Sequence, residues 1–325
     1  MATIAALRHC RSRPRGQRGI ALVLALWLTI LLTVIASGFA FSMRSEAIAA
    51  RNAISLAQAR AAADGAVERT AFELSRPRIT DTWSADGTRH TWIENDVQFD
   101  VVAVDETSKI DLNSANDALL KGLLMTSGGL DDQTAARVVD AIADWRDADD
   151  LKRPNGAEEA DYRAANLKYG PANAPFETVG ELARVLGVTP EVYRRIAGSL
   201  TVYSRQPGIN TLTASRDVLL ALPAATTETV DDYLERRRIA IENKLPPPPF
   251  PPAQAFGSGP VPVWRVHAEA KLSDGVTFVR EAVLRPVNDV RRPLVALVWT
   301  EGARLPPAAP AAAQAQSGTP FTLRR

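Results

Sequence analysis

Ile20 to Met43 is a run of 24 residues without a charge, the strongest hydrophobic pattern in the chain. As a helix it would extend about 36 Å, enough to cross a bilayer core of about 30 Å. Residues 44–75 are rich in alanine and long helix formers and hold no proline. Leu56, Ala63, Val67, Ala71 and Leu74 recur at helical spacing, so one helix with an apolar stripe is expected to continue past the membrane segment. Period-two alternation follows in VQFDVVAV (97–104), which puts Val97, Phe99, Val101 and Ala103 on one strand face. Similar segments return only at 263–272, 276–286 and 294–300, with Ser273–Gly275 as a hairpin turn between the first two. The pattern therefore predicts one sheet split by a long insertion.

The insertion reads as helical. Ala115–Leu124, Asp132–Arg146, Thr178–Leu186, Pro190–Ala197, Ala214–Leu222 and Thr229–Asn243 are the expected helices, with Thr189 and Pro190 at N-cap and N1 of the fourth. IDLNSANDALLKGLL from Ile110 is echoed by INTLTASRDVLLALP from Ile209, which suggests two helix-hairpin-helix-like subdomains. LPPPPFPP (245–252) marks a semi-rigid linker back to the sheet. The alanine- and proline-rich residues from 305 onward are expected to be disordered.

Charge changes how the N-terminus is read. Arg8, Arg11, Arg13, Arg15 and Arg18 precede the apolar run with no acid among them, and the remainder of the chain is about −4. That asymmetry predicts a cytoplasmic N-terminus, a single span and an exported bulk. A cleavable signal peptide would need a shorter apolar core; Ala36-Ser37-Gly38 could end one, but the run continues through Phe39, Phe41 and Met43. A cut after Gly19 would instead keep the helix in the product. The only cysteine, Cys10, lies in the basic leader, so the mature chain would have no disulfide or thiolate-metal framework. His9, His90 and His267 are too dispersed to suggest a zinc motif.

RGQRG followed by IALVLALW resembles the leader of type IV prepilins and type II secretion pseudopilins. The resemblance implies that prepilin peptidase cuts after Gly19 and that Ile20 becomes the methylated first residue. Most such proteins carry glutamate at mature position five, where this chain has Leu24. A carboxylate inside lipid needs a partner, and a subunit without one has no need to answer the amine of a subunit ahead of it. That departure is similar to the K-type minor pseudopilin, which sits at the fibre tip.

The densest polar segment is DWRDADDLKRPNGAEEADY, which holds Asp144, Asp147, Asp149, Asp150, Glu158, Glu159 and Asp161, with Pro154-Asn155-Gly156 bending it in the middle. Hard oxygen donors on a turn suit calcium, but the spacing is not that of an EF-hand. Two readings stay open on the residues alone: a solvated acidic loop, or a calcium site using some of these groups. Catalytic paired carboxylates find no second motif to support them.

KIDLN, IADWRDADD, NGAEEADY, Tyr169 and NAPFETVGEL together resemble the helical insertion of the general secretion pathway protein K family. Ser108 stands where that family often has glycine, and Leu212-Thr213-Ala214 departs from its second NTA pattern. The resemblance implies an α+β, pilin-like fold, a long N-terminal helix packed on an antiparallel sheet, with a large mostly helical insertion. The expected segments are a leader (1–19), a transmembrane helix (20–43), the first part of the core (44–108), the insertion (109–244), a proline-rich linker (245–262), C-terminal core strands (263–304) and a tail (305–325). It also implies a non-enzymatic role at the inner membrane and in the periplasm. The expected partners are the I- and J-type minor pseudopilins, the major pseudopilin and prepilin peptidase, and calcium is expected in the helical domain. Leu24, Ala36, Ser37 and Gly38 would pack against partner helices. A type IV pilus minor pilin is the alternative. Nucleic-acid binding is disfavoured, because residues 105–205 hold 17 acids and 12 bases; an anchored enzyme has no nucleophile–base pair to name.

Overall fold

The computed structural model describes residues 18–76, 83–243, 245–250, 261–289 and 291–304. The expected leader up to Gln17, with Cys10 and His9, lies outside them, as do most of the linker and the tail. The described chain forms two compact units, one ending at Ala57 and one starting at Gln58.

A single helix, α1, runs Arg18–Ser75. Its Ile20–Met43 stretch is exposed throughout and has the length and composition of a membrane span. In the second unit Ala59, Ala63, Ala66, Val67, Thr70 and Ala71 are buried against the sheet. Four alanines among six contact residues let the helix lie close to the strands. Leu56, expected on this stripe, is exposed instead, because the buried face begins at Ala59.

The sheet has five antiparallel strands in the order β1-β2-β5-β6-β7. They are β1 Asp86–Glu94, β2 Val97–Asp105, β5 Trp264–Lys271, β6 Thr277–Pro286 and β7 Leu294–Glu301. Phe99, Val101 and Ala103 of β2 face α1 together with Val266, Ala268, Ala270, Phe278 and Ala282. The split sheet is thus present: β2 pairs with β5 from Gln98↔Lys271 to Asp105↔Trp264, with residues 106–263 intervening. Strand β1 was not expected. DGTRHTWIE carries too many polar residues to read as a strand, yet it pairs along β2 with Trp92 opposite Phe99. An ion pair fixes helix to sheet: Arg280 Nε lies 2.6 Å from Asp64 Oδ1, with its guanidinium over the Phe278 and Trp299 rings.

The insertion contains α2 Asp117–Thr126, α3 Asp132–Arg146, α4 Glu159–Ala164, α5 Pro190–Ile196, α6 Arg216–Leu220 and α7 Thr227–Glu242. Asn116, Asp131, Thr189, Ser215 and Thr226 cap five of these helices with side-chain oxygens. The expected helix at 178–186 is a 3-10 turn, Val179–Arg184. The echo segments contribute α2 and α6, which share one core rather than forming separate cores: Leu119, Leu120, Leu123, Val218 and Leu219 are all buried in it. Gly122 makes the contact possible, since a Cβ there would run into the Ala221 carbonyl. Phe250, from the proline-rich segment, is buried edge-on to Tyr233.

The insertion joins the sheet through a polar seam. A two-stranded parallel ribbon pairs β3 Ile110–Asp111 with β4 Leu200–Thr201, and Asn210 N donates to Thr107 O at 2.7 Å. Glu106, fully buried, accepts from Arg265 Nε at 2.7 Å, Lys109 Nζ at 2.8 Å and the Thr201 hydroxyl. Arg265 also pairs with Glu281. Asp111, likewise buried, accepts from Ser204 Oγ and the Arg205 N–H.

Candidate metal site in the acidic turn

Helix α3 ends at Arg146, and the chain turns through 147–158 before α4 begins at Glu159. Asp144, on the last turn of α3, is completely buried. Its carboxylate accepts from Ala157 N at 2.8 Å and Arg153 N at 3.2 Å, which pulls the turn back onto the helix. Gly156 is required at this fold-back, because a Cβ would collide with the Asp144 carboxylate. Beneath the turn, Trp145 stacks on Phe176 and tilts against Tyr162, anchoring both arms in the core.

The structure separates the seven predicted carboxylates into two sets. Asp144, Asp147, Asp149, Asp150 and Glu158 form one electrostatic neighbourhood. Desolvation pushes the Glu158 carboxyl up to about 7, with further upward pushes from Asp144, Asp147, Asp150 and Asp149. Asp147 and Asp144 are also raised, again first by burial. Asp147 Oδ1 and Glu158 Oε1 are buried with no hydrogen-bond partner. Glu159 and Asp161 turn away: Glu159 pairs with Arg163 on exposed surface, while Asp161 caps α4 through Glu158 N and pairs with Lys152 at 2.6 Å. The Lys152 hydrogen bond holds the Asp161 carboxyl below its ordinary value.

Three further side chains take part, and of these Arg153 was already legible as a cation of the acidic segment while Asp140 and the role of Asn173 were not. Asp140, one turn before Asp144, accepts from Asn155 N and Nδ2 and pins the bend. Arg153 reaches Asp117 at 2.8 Å, so this local cation has its own partner. Asn173 donates to Asp150 at 2.9 Å and leaves its own Oδ1 buried and unpartnered. Asn173 stands at positive φ, where asparagine is tolerated better than most residues. The quoted NAPF motif was the available signal for it.

Two orphaned carboxylate oxygens and an orphaned amide oxygen, all hard donors and all buried, fit a calcium ion better than they fit a dry interior. As they stand, no three acidic or histidine side chains among the described residues are gathered closely enough to hold an ion. Asp144, Asp147 and Glu158, with Asp149, Asp150 and Asn173 at the rim, are the groups that would draw together around one. His90 and His267 are not candidates. They lie opposite Val101 and Val102 of β2, and consecutive positions point to opposite sheet faces.

The other predicted site residues lie on α1. Ile20 and Leu24 are exposed near its start, Leu24 by 66%. Ala36, Ser37 and Gly38 are exposed but consecutive, so they fan around the helix instead of forming one seam.

Residues 98–205 match the family model described as Type II secretion system (T2SS), protein K. The chain is 29% identical over 238 residues to type II secretion system protein K of Klebsiella pneumoniae, covering 65% of this chain and 72% of that one. A 94-residue stretch is 35% identical to the protein K of Pectobacterium carotovorum, covering 28% and 29% of the two chains. The fold resembles a chain of the GspK-GspI-GspJ complex from enterotoxigenic Escherichia coli, with a TM-score of 0.51 and 16% identity over 81% of this chain and 99% of that one.

Proposed function

Because the chain belongs to the type II secretion system protein K family, and so is a minor pseudopilin, we propose that it occupies the tip of the pseudopilus, priming or capping the fibre that helps export folded proteins. The observation that carries this reading is a large helical domain inserted between β2 and β5 of a pilin-like sheet, on a helix with Leu24 at the position where most pilin-like proteins carry glutamate and the K type does not. The insertion would block addition of a further subunit above it. Leu24 makes no demand for a neighbour's amine.

In this reading the I- and J-type pseudopilins are its immediate partners, the solved relative being named as a complex of that kind. The major pseudopilin lies below, and the apolar helix packs within a bundle of partner helices, Leu24, Ala36, Ser37 and Gly38 meeting more than one neighbour. Prepilin peptidase removes residues 1–19, and Ile20 becomes the methylated N-terminus of a single-pass inner-membrane protein with its bulk in the periplasm. The acidic turn holds calcium as a structural ion, and the protein performs no catalysis. Intact-mass measurement with and without the peptidase tests the processing: a product starting at Ile20 is expected, and one starting at Phe39 or Ala40 would refute the pseudopilin reading. Co-purification with the I- and J-type proteins in a single complex tests the placement; failure to associate with either would remove it from the tip.

A further inference from the structure

Strand β7 is one edge of the sheet, and among the described residues no strand pairs with its far side. Leu294 to Trp299 reads LVALVW, uncharged throughout, and none of the six is buried. Edge strands are ordinarily guarded by charge, proline or a bulge. The opposite edge obeys that rule: β1 carries Asp86, Arg89, His90 and Glu94, and its register shifts between Asp86 and Arg89. Strand β7 is charged only at its last residue, Glu301.

Among the described residues, its outward backbone groups meet no ladder partner. Gly302 N donates to Val279 O, which fixes the phase of the β6–β7 ladder. By antiparallel alternation, Val298 and Thr300 bond inward while Trp299 and Glu301 direct their N–H and C=O groups outward.

We propose that β7 accepts an added strand from a different protein, an extended apolar segment carrying carboxylates at one end. Charge selects this occupant. Arg291 and Arg292, both exposed, stand in the turn just before β7, and exposed Arg304 follows its far end. A second copy laid antiparallel on β7 would bring the arginines of one turn toward the Arg304 end of the other. An acid-ended segment meets Arg291 and Arg292 favourably, and main-chain bonds supply the rest of the affinity. This inference stands without the assignment to a fibre tip.

Fluorescence anisotropy on the full chain in detergent tests it, using labelled ten-residue Thr-Val peptides with two glutamates at the N- or C-terminal end, or two lysines in their place. One glutamate peptide is expected to bind at least about tenfold more tightly than the lysine peptides. Ala296→Lys and Glu301→Pro, at an exposed position and an outward N–H, should each weaken binding by about tenfold with an unchanged thermal midpoint. Arg291→Glu with Arg292→Glu should reverse the preference. Equal or absent binding of all peptides overturns the proposal. So does self-association abolished by Ala296→Lys, which assigns the edge to a second copy. Binding seen only after removal of residues 305–325 assigns it to the chain's own terminus and overturns the proposal equally.

Discussion

Glu106→Gln should destabilise the protein more than any surface substitution, because Glu106 is the carboxylate on which the seam between insertion and sheet converges. Burial alone would push its pKa up, but Lys109 and Arg265 outweigh burial and leave it below the ordinary 4.5. Removing one partner of a buried ion pair costs about 3–5 kcal/mol. Glutamine keeps the shape and a hydrogen bond to Thr201, and Arg265 retains Glu281, so about 2–3 kcal/mol is expected here. Urea denaturation at pH 7 measures it. The sign of the pH dependence is fixed by the depressed pKa: the contribution is present above the unfolded value of 4.5 and is lost as pH falls through the lower folded value. The gap between wild type and Glu106→Gln should therefore be full at neutral pH and close under acid conditions. A double-mutant cycle with Arg265→Met should give a coupling of at least about 1 kcal/mol. A Glu106→Gln loss under about 0.5 kcal/mol, or a coupling indistinguishable from zero, would show that the seam is held by packing and not by this charge.

Calcium should bind more tightly as pH rises from about 6 to about 8, because the Glu158 carboxyl titrating near 7 must give up its proton; calorimetry in two buffers of different ionisation enthalpy should reveal proton release, and a pH-independent affinity would dismiss Glu158 as a ligand. Without calcium, the raised pKa means that stability is lost as pH rises through about 7, so Glu158→Gln should raise the thermal midpoint at pH 8 while weakening calcium binding. Gly156→Ala should abolish calcium binding by displacing Asp144, with calorimetry as the readout and the far-ultraviolet circular dichroism unchanged. Arg280→Met should cost about 1–2 kcal/mol by removing the partner of the partly exposed Asp64 and the cation over Trp299; a loss below about 0.5 kcal/mol in denaturant would show that α1 is held by its alanine face alone.

Periodicity carried most of the fold. α3 matches its expected bounds, and β2, β5, β6 and β7 fall within a residue or so of expectation: β2 and β5 bury one face and keep the alternation in the residue order, while β6 and β7 are legible as runs of β-branched and apolar residues. Strand β1 escaped because an edge strand can be half polar. Helix α4 escaped because its six residues sit inside the acidic segment, where charge drew attention away from the cap that Asp161 supplies. In the candidate site, composition identified the right segment but could not sort it. Glu159 and Asp161 look equivalent to Glu158 in sequence, yet one turn of helix sends them to Arg163 and Lys152 while Glu158 is buried. Asn173 could not be found by counting acids, since it is neutral and enters from a loop beyond α4.

The separation of β2 from β5 by the whole insertion has a kinetic consequence for a chain that emerges from its N-terminus. The β1–β2 hairpin is complete early, but the neighbour of β2 arrives only after residues 106–263 have been made. Were those residues unstructured, bringing their ends together would cost about 4–5 kcal/mol in closure entropy. A folded helical domain lowers that penalty, because the β3–β4 pair and the Asn210–Thr107 hydrogen bond bring the chain back beside its own start, and Phe250 docks in the same core shortly before β5. The insertion would then act as an intramolecular chaperone for the sheet that carries it, and slowing its folding would prolong the time that β2 is left with an open edge.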